Sequence, residues 1–332
     1  LHITNACNLR CDYCYVHKTN ENMSLETGQR AIRAIFQAVQ IGGYRGVKLK
    51  FSGGEALLNR ELIFALNHQA RQLAEQAGLW FDSVVLSNGV AISERVITEL
   101  QTHNIRLSIS LDGVGKFHDI QRQLVNGQGS FRYIEQSLDR LAKHNMRPTI
   151  TITISSRNMA GLPEAVDYLL QRGLPFSLNF YRDNECSAQF NDLHYDEQRL
   201  IETLEATFNV IENNLPPFGL LSSLSDRARL DIPHEYPCAV GPAYWVIDQH
   251  GKVARCQMAL EHAISDICYE DVFEKLRTTP GFPENPSVNT KEGCKICLWR
   301  YWCAGGCPLL TYRLTGRYDL PSPNCNIYKV IF

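Results

Sequence analysis

The sequence predicts an α/β protein, built of parallel strands with covering helices and followed by a small cysteine-rich domain. Three observations predict it. Strand-like and helix-like stretches alternate through six steps before about residue 180. The rhythm then gives way to one long helical stretch and a proline-punctuated segment. From Cys238 onward, eight cysteines fall among many Gly and Pro residues, seven of them in an ordered pattern of spacings. A chain of 332 residues, 44% hydrophobic and 20% charged, is large enough for one α/β unit plus an appended piece.

Each element has a local signal. The opening "LHIT" reads as a strand, and "SLETGQRAIRAIFQAVQIG" as a helix. "GVKLKFSGGE" is a strand ending at glycines, and "RELIFALNHQARQLAEQAG" has apolar residues at helical spacing until Gly78 stops it. "FDSVVLSNG" is a strand, "SERVITELQTH" a helix capped by Ser93, and "IRLSISLDG" a strand closing in Asp-Gly. "SFRYIEQSLDRLAKHN" and "LPEAVDYLLQRG" are helices that flank the β-branched strand "RPTITITIS", and "PFSLNFY" is the last strand. Such repetition means parallel strands, in either an open sheet or a barrel. Beyond it, "YDEQRLIETLEATFNVIENN" is one helix, residues 215–237 form an irregular linker, and "AYWVIDQHGKVARC" is a hairpin turning at His250-Gly251.

Net charge is −2, which argues for no nucleic-acid and no membrane-surface partner. No apolar run approaches membrane-spanning length and no signal peptide is present, so a cytoplasmic location is expected. Twelve cysteines in a secreted protein would suggest disulfides. Here they stand at C-x3-C-x2-C and C-x2-C-x5-C-x3-C spacings, which suit metal coordination, and a reducing cytoplasm keeps such thiols free.

"TNACNLRCDYCYV" places Cys7, Cys11 and Cys14 on one tight loop. Three thiolates can hold three irons of a [4Fe–4S] cluster and leave the fourth open for chemistry. A structural zinc site completed by His2 or His17, or ordinary core cysteines, would share the spacing. Polar residues recur at later strand ends, where ligands sit in parallel α/β folds: Gly53-Gly54-Glu55, Ser87-Asn88 and Ser110-Leu111-Asp112. Turn and cap chemistry would also place such residues there.

With Tyr13 before its last cysteine, the loop resembles the radical S-adenosylmethionine (SAM) superfamily. The resemblance implies a partial (β/α)6 barrel. SAM would bind the open iron, and reductive cleavage would give a 5′-deoxyadenosyl radical that takes hydrogen from substrate. It further implies that Gly53, Gly54 and Glu55 bind the SAM amino group, that Ser110 contacts SAM and that Arg122 holds the SAM carboxylate. Tyr13, Ser87, Asn88, Asp112 and Asn179 are further cofactor-binding candidates.

The pattern of Cys238, Gly251, Cys256, Cys294, Cys297, Cys303, Cys307 and Cys325 resembles a SPASM domain. Zinc sites are the alternative, since C-x2-C also occurs in zinc ribbons. The resemblance implies two auxiliary [4Fe–4S] clusters, hence three clusters in all. Cys294, Cys297, Cys303 and Cys325 would hold one. Cys238, Cys256 and Cys307 would hold the other, whose fourth ligand is not evident; Cys186 and Cys268 are unassigned. The aromatics of "CLWRYWC" are expected to shield a cluster from water. The expected units are residues 1–182, a linker over 183–237, and a SPASM domain over 238–332.

Relatives of this architecture act on peptides and proteins, with an electron donor such as flavodoxin or ferredoxin. Sulfatase-maturing enzymes carry an Asp directly after the cysteine equivalent to Cys256, as general base. Gln257 stands here and cannot act as one. "ARCQMAL" instead resembles maturases that join an aromatic ring to a side-chain β-carbon of a precursor peptide, forming cyclophanes. No residue is assigned as proton acceptor. Tyr181-Arg182-Asp183 is a candidate substrate-facing turn. The chain starts at the first barrel strand, which leaves no room there for a winged leader-binding domain. Leader binding is therefore expected on the barrel, the linker, the SPASM surface or a separate protein.

Overall fold

The computed structural model describes residues 1–221, 224–240, 243–269, 271–279 and 281–332. Five parallel strands form the main sheet: β2 (Gly46–Phe51), β3 (Trp80–Ser87), β4 (Arg106–Ser110), β6 (Thr149–Ile154) and β7 (Phe176–Phe180), paired in that order. Residues 1–4 run beside β2 as the sixth step. The Leu1 carbonyl accepts from the Ser52 N–H at 2.8 Å, and the Ile3 N–H donates to the Ser52 carbonyl at 2.8 Å. This step is a bridge rather than a full strand, because the chain leaves the sheet after Thr4 to form the cysteine loop.

The covering helices are α1 (Leu25–Ile41), α2 (Arg60–Gln76), α3 (Glu94–Thr102), α5 (Phe131–Lys143) and α6 (Leu162–Gln171). Ser24 and Ser93 cap α1 and α3 through their hydroxyls, which supply acceptors the first helical turn lacks. A short helix, α4 (Lys116–Asp119), follows β4. Along the strands one side is apolar. Ile150, Ile152 and Ile154 of β6 are all 0% exposed, while Thr149, Thr151 and Thr153 alternate with them on the other face. A parallel sheet covered on both faces by helices reads as a continuous apolar run. Alternation marks a polar inner face instead, and the sheet is a partial barrel. The Ser108 and Thr151 hydroxyls meet across that face at 3.4 Å.

Two three-residue strands, β1 (Leu9–Cys11) and β5 (Arg122–Leu124), pair antiparallel and set Cys11 opposite Arg122. Beyond the sheet, α7 (Glu197–Asn213) packs on α6. The expected linker is less slack than its composition suggests, although part of it lies outside the described residues. Leu224 to Asp226 bond to Leu178, so this segment covers the exposed edge of β7. The C-terminal part begins with antiparallel strands β8 (Val246–Ile247), β9 (Lys252–Ala254) and β10 (Ser265–Asp266). Their first hairpin turns at the expected His250-Gly251, with Gly251 left-handed at φ 88°. Helices α8 (Val272–Thr278), α9 (Arg300–Cys303), α10 (Pro308–Thr315) and α11 (Cys325–Ile331) complete the chain. One apolar core runs from the barrel into this part through Ile247, Val253, Leu276 and Tyr328. Among the described residues, no helix is long and apolar enough to cross a membrane.

Candidate active site

Cys7, Cys11 and Cys14 lie on the loop between residues 1–4 and α1, held by backbone contacts to strand ends. The Gly54 N–H donates to the Thr4 carbonyl at 2.7 Å, and the Glu55 N–H to the Ala6 carbonyl at 2.8 Å. A Cβ on Gly54 would lie 2.2 Å from the Ala6 carbonyl oxygen, and one on Gly53 2.3 Å from that of Thr4. The close approach these glycines permit is therefore to the cysteine loop itself.

The Glu55 side chain is 2% exposed. Its two oxygens accept from the Ser87 hydroxyl at 2.9 Å, the Asn88 N–H at 2.7 Å and the Leu57 N–H at 3.1 Å. Burial pushes its carboxyl upward, against the pull of those donors. The Asn88 amide bonds to Asn8 at 2.7 Å and approaches the Cys7 sulfur at 3.9 Å.

A second network ties the loop to the ends of β4 and β6. The Tyr13 hydroxyl donates to Asp112 at 2.6 Å and accepts from Arg122. Asp112, 0% exposed, also accepts from Gln121 at 3.0 Å and the Thr153 N–H at 2.9 Å. Arg122 lies 3.7 Å from that carboxylate, and its buried Nε has no hydrogen-bond partner. The structure thus brings Tyr13, Asp112 and Arg122 together at Cys11. It places Glu55, Ser87 and Asn88 together at Cys7. Ser110 and Asn179 stand on β4 and β7, on faces that alternate with the buried residues; Asn179 bonds to Ser177 at 3.4 Å.

Sequence reasoning missed Lys18. Its ammonium donates to the Cys14 sulfur at 2.9 Å. Burial disfavours the ammonium, but Cys14 and Cys7 outweigh it and raise its pKa. A lysine four residues beyond the last cysteine was the available signal. The thiols themselves are costly to ionise without a cation: burial pushes Cys11 up to about 12, with Arg122 opposing. Three crowded thiols, one ammonium and one guanidinium form a donor set that fits an iron–sulfur cluster with an open iron.

The C-terminal thiols form two groups. Cys294, Cys297, Cys303 and Cys325 line one small cavity of about 80 Å³, walled by Trp299 and Tyr328. Of the three aromatics between the thiols, Trp299 lines this cavity, and Tyr301 and Trp302 are not among its described lining residues. Cys256 packs against Cys307, Leu309 and Leu310. Cys238 lies within electrostatic reach of both thiols. Neither spare cysteine joins this second group. Cys186 feels Cys14 and Lys18 instead, and Cys268 is an exposed residue 3.7 Å from Arg30. Among the described residues, no three His, Cys, Asp or Glu side chains converge on the position of a single ion. A four-iron cluster takes each thiolate on a different iron.

The radical SAM superfamily pattern matches residues 1–169. This chain belongs to the radical SAM superfamily. The radical SAM chain is 19% identical over 324 residues to a cysteine-type anaerobic sulfatase-maturating enzyme of Clostridium perfringens, covering 92% of this chain and 86% of that one. It is 25% identical over 284 residues to the sporulation killing factor maturation protein SkfB of Bacillus subtilis, covering 80% of this chain and 62% of SkfB. An uncharacterised Methanocaldococcus jannaschii protein is 29% identical over 175 residues; the chain spans 58% of its length. In fold it matches native anSMEcpe with bound AdoMet and Cp18Cys peptide at a TM-score of 0.79, with 19% identity, over 99% of this chain and 93% of that one. Streptococcus suis SuiB bound to precursor peptide SuiA matches at 0.63, with 14% identity, over 98% and 74%. These matches extend the shared fold beyond the barrel into the cysteine-rich part of this radical SAM chain.

Proposed function

We propose that the protein is a peptide maturase that installs an oxidative carbon–carbon crosslink, a cyclophane, in a ribosomally made precursor peptide. Cys7, Cys11 and Cys14 would hold the SAM-binding [4Fe–4S] cluster, and the two C-terminal thiol groups would hold two auxiliary clusters. When bound, the reduced cluster and SAM supply a 5′-deoxyadenosyl radical. The chain's own residues bind and orient. Glu55, Ser87 and Asn88 fix the Cys7 side of the loop, and Tyr13, Asp112 and Arg122 fix the Cys11 side. Ser110 and Asn179 are the remaining proposed SAM contacts. Residues 1–182 would act as the barrel unit and 238–332 as the SPASM unit, joined by 183–237. A flavodoxin or ferredoxin would deliver electrons in the cytoplasm.

The observation that carries this reading is the wall beside Cys256. A cavity of about 450 Å³ runs along the edge of β2 beneath residues 243–247. Gln257 lines it and accepts a hydrogen bond from the Tyr244 hydroxyl at 3.0 Å. No Asp or Glu lines the cavity among the described residues. Formylglycine formation needs a base for the alcohol or thiol proton, and an amide is not one. Crosslinking to an aromatic ring balances without a thiol or alcohol proton. One hydrogen atom would pass from the side chain to the deoxyadenosyl radical, the carbon radical would add to the ring, and the ring would then give one electron to an iron–sulfur acceptor and one proton to water.

SAM and dithionite with anaerobically reconstituted protein should give 5′-deoxyadenosine. A precursor peptide encoded beside the gene should lose two hydrogens per crosslink. A sulfatase peptide gaining an aldehyde would instead establish the sulfatase-maturing alternative, which the Clostridium perfringens relative favours.

A further inference from the structure

Among the described residues Lys291 is the one fully buried lysine, 0% exposed. An ammonium has three protons to donate, and this one makes a single described hydrogen bond, a long one of 3.4 Å to the Gly305 carbonyl. Among the described residues no carboxylate pairs with it. The neighbouring Glu292 and Asp319 both bind Arg317, at 2.7 and 2.8 Å. The position of Gly305 gives the contact its meaning. It stands midway between Cys303 and Cys307 in the chain and lines the four-thiol cavity. Its backbone is left-handed at φ 75°, and a Cβ there would lie 2.8 Å from the Lys291 Cδ and 2.9 Å from the Nζ. The glycine thus serves both the turn and the space the ammonium fills. The ammonium lies against the turn that joins the two C-terminal thiol groups. Burial disfavours its charge, and Cys294, Cys307, Cys303 and Cys238 oppose that. A buried cation with no partner is costly, so this one needs an anion at the thiols. A four-iron core held by four thiolates is a net anion, and its charge and hydrogen bonds set its potential.

On the reading that Cys294, Cys297, Cys303 and Cys325 hold a cluster, we propose that Lys291 is the fixed counter-charge of that cluster, admitted by the missing side chain of Gly305, and that it makes the cluster easier to reduce. Lys291 acts through the cluster and touches no substrate. Its charge favours the one-electron reduction that crosslinking requires of an auxiliary acceptor.

The test uses a Cys7→Ala/Cys11→Ala/Cys14→Ala background, which silences the leading site. After anaerobic reconstitution, iron and sulfide analysis shows whether auxiliary clusters form. The electron paramagnetic resonance signal lost on adding Cys297→Ala marks the four-thiol cluster. Lys291→Met has nearly the same shape without the charge. It should make reduction of that cluster about tenfold less favourable, the worth of one charge-assisted hydrogen bond. In a one-electron redox titration this is a fall of about 59 mV. Lys291→Arg keeps the charge and should stay nearer the parent. A lysine that only filled space would be replaced by Met with no change in potential. Should Lys291→Met fail to load iron, the same background without that substitution, carrying lysine labelled with nitrogen-15, decides. Its reduced four-thiol cluster should show a nitrogen coupling in electron–nuclear double resonance. A cluster that forms with no such coupling, or whose potential Lys291→Met leaves unchanged, overturns the proposal while the cluster reading stands. If Cys297→Ala removes no iron and no signal, both are overturned.

Discussion

The four-thiol cavity near the C-terminus and the three-thiol loop near the start differ in what surrounds the sulfurs. Around the first stand glycines, Trp299 and Tyr328, with Arg300 and Lys329 in the wall and the buried Lys291 within electrostatic reach of Cys294 and Cys303. Around the second stand Lys18, Arg122, Asp112 and Glu55, each hydrogen-bonded within the loop or to a strand end. On the proposed reading, a full set of four thiolates would hold a cluster and tune its potential. An incomplete set among buried charges is arranged to receive something. The comparison teaches that the number of thiols and the hydrogen bonds made by the charges beside them, rather than cysteine spacing, set the two groups apart.

The strongest way to break the comparison is to remove one thiol from each site. Cys11→Ala should abolish 5′-deoxyadenosine formation and remove about a third of the bound iron. Cys297→Ala should remove a similar share of iron yet leave deoxyadenosine formation within about tenfold of the parent, with crosslinked product lost. Equal loss of deoxyadenosine in both variants would sink the distinction.

The next test is the buried network behind the loop. Asp112→Asn leaves the buried Arg122 charge without its carboxylate and should cost about 3–5 kcal/mol of stability, read as a fall in the urea midpoint. Gly54→Ala pushes a Cβ toward the Ala6 carbonyl and should cost about 1–3 kcal/mol, with slower cluster loading on iron titration. Lys18→Met should lower the deoxyadenosine rate by about tenfold through loss of one charge-assisted bond to Cys14, with Lys18→Arg nearer the parent.

The smallest expected effect is a pH dependence. Burial alone would raise the Asp226 carboxyl, but Arg182 outweighs it and holds it below the ordinary carboxylate range. A depressed carboxyl stabilises the fold above the unfolded value of about 3.9, and that contribution disappears as pH falls through the lower folded value. Urea midpoints measured from pH 5 downward should therefore fall less steeply for Asp226→Asn than for the parent.

Much of this was legible in the residues. The six strand–helix steps, the cap at Ser93, the stop at Gly78 and the hairpin at Gly251 all rest on contacts within a few positions. The rhythm left open sheet and barrel undecided, and the structure decides it through the Thr-Ile alternation of β6, because a polar inner face has period two. Other features had no local signal. Strands of three residues, such as β1 and β5, are too short for a period to show, so the pairing of Cys11 with Arg122 was hidden. The linker segment at Leu224 to Asp226 looked irregular because its backbone bonds go to a distant strand edge. Of the aromatics between the C-terminal thiols, side-chain direction alone decided that Trp299 faces the cavity.

By itself the sequence determined the order and spacing of the thiols and the strand–helix rhythm that carries them, since these follow from covalent spacing and hydrophobic period. Only the tertiary structure decided which charges meet which thiols. Tyr13 reaches Asp112 across 99 positions and Arg122 across 109. Cys186, free by spacing, lies within electrostatic reach of Cys14 and Lys18. Contacts between such distant positions exist only once the strands have closed around the loop, and it is burial there that turns ordinary charged side chains into a site.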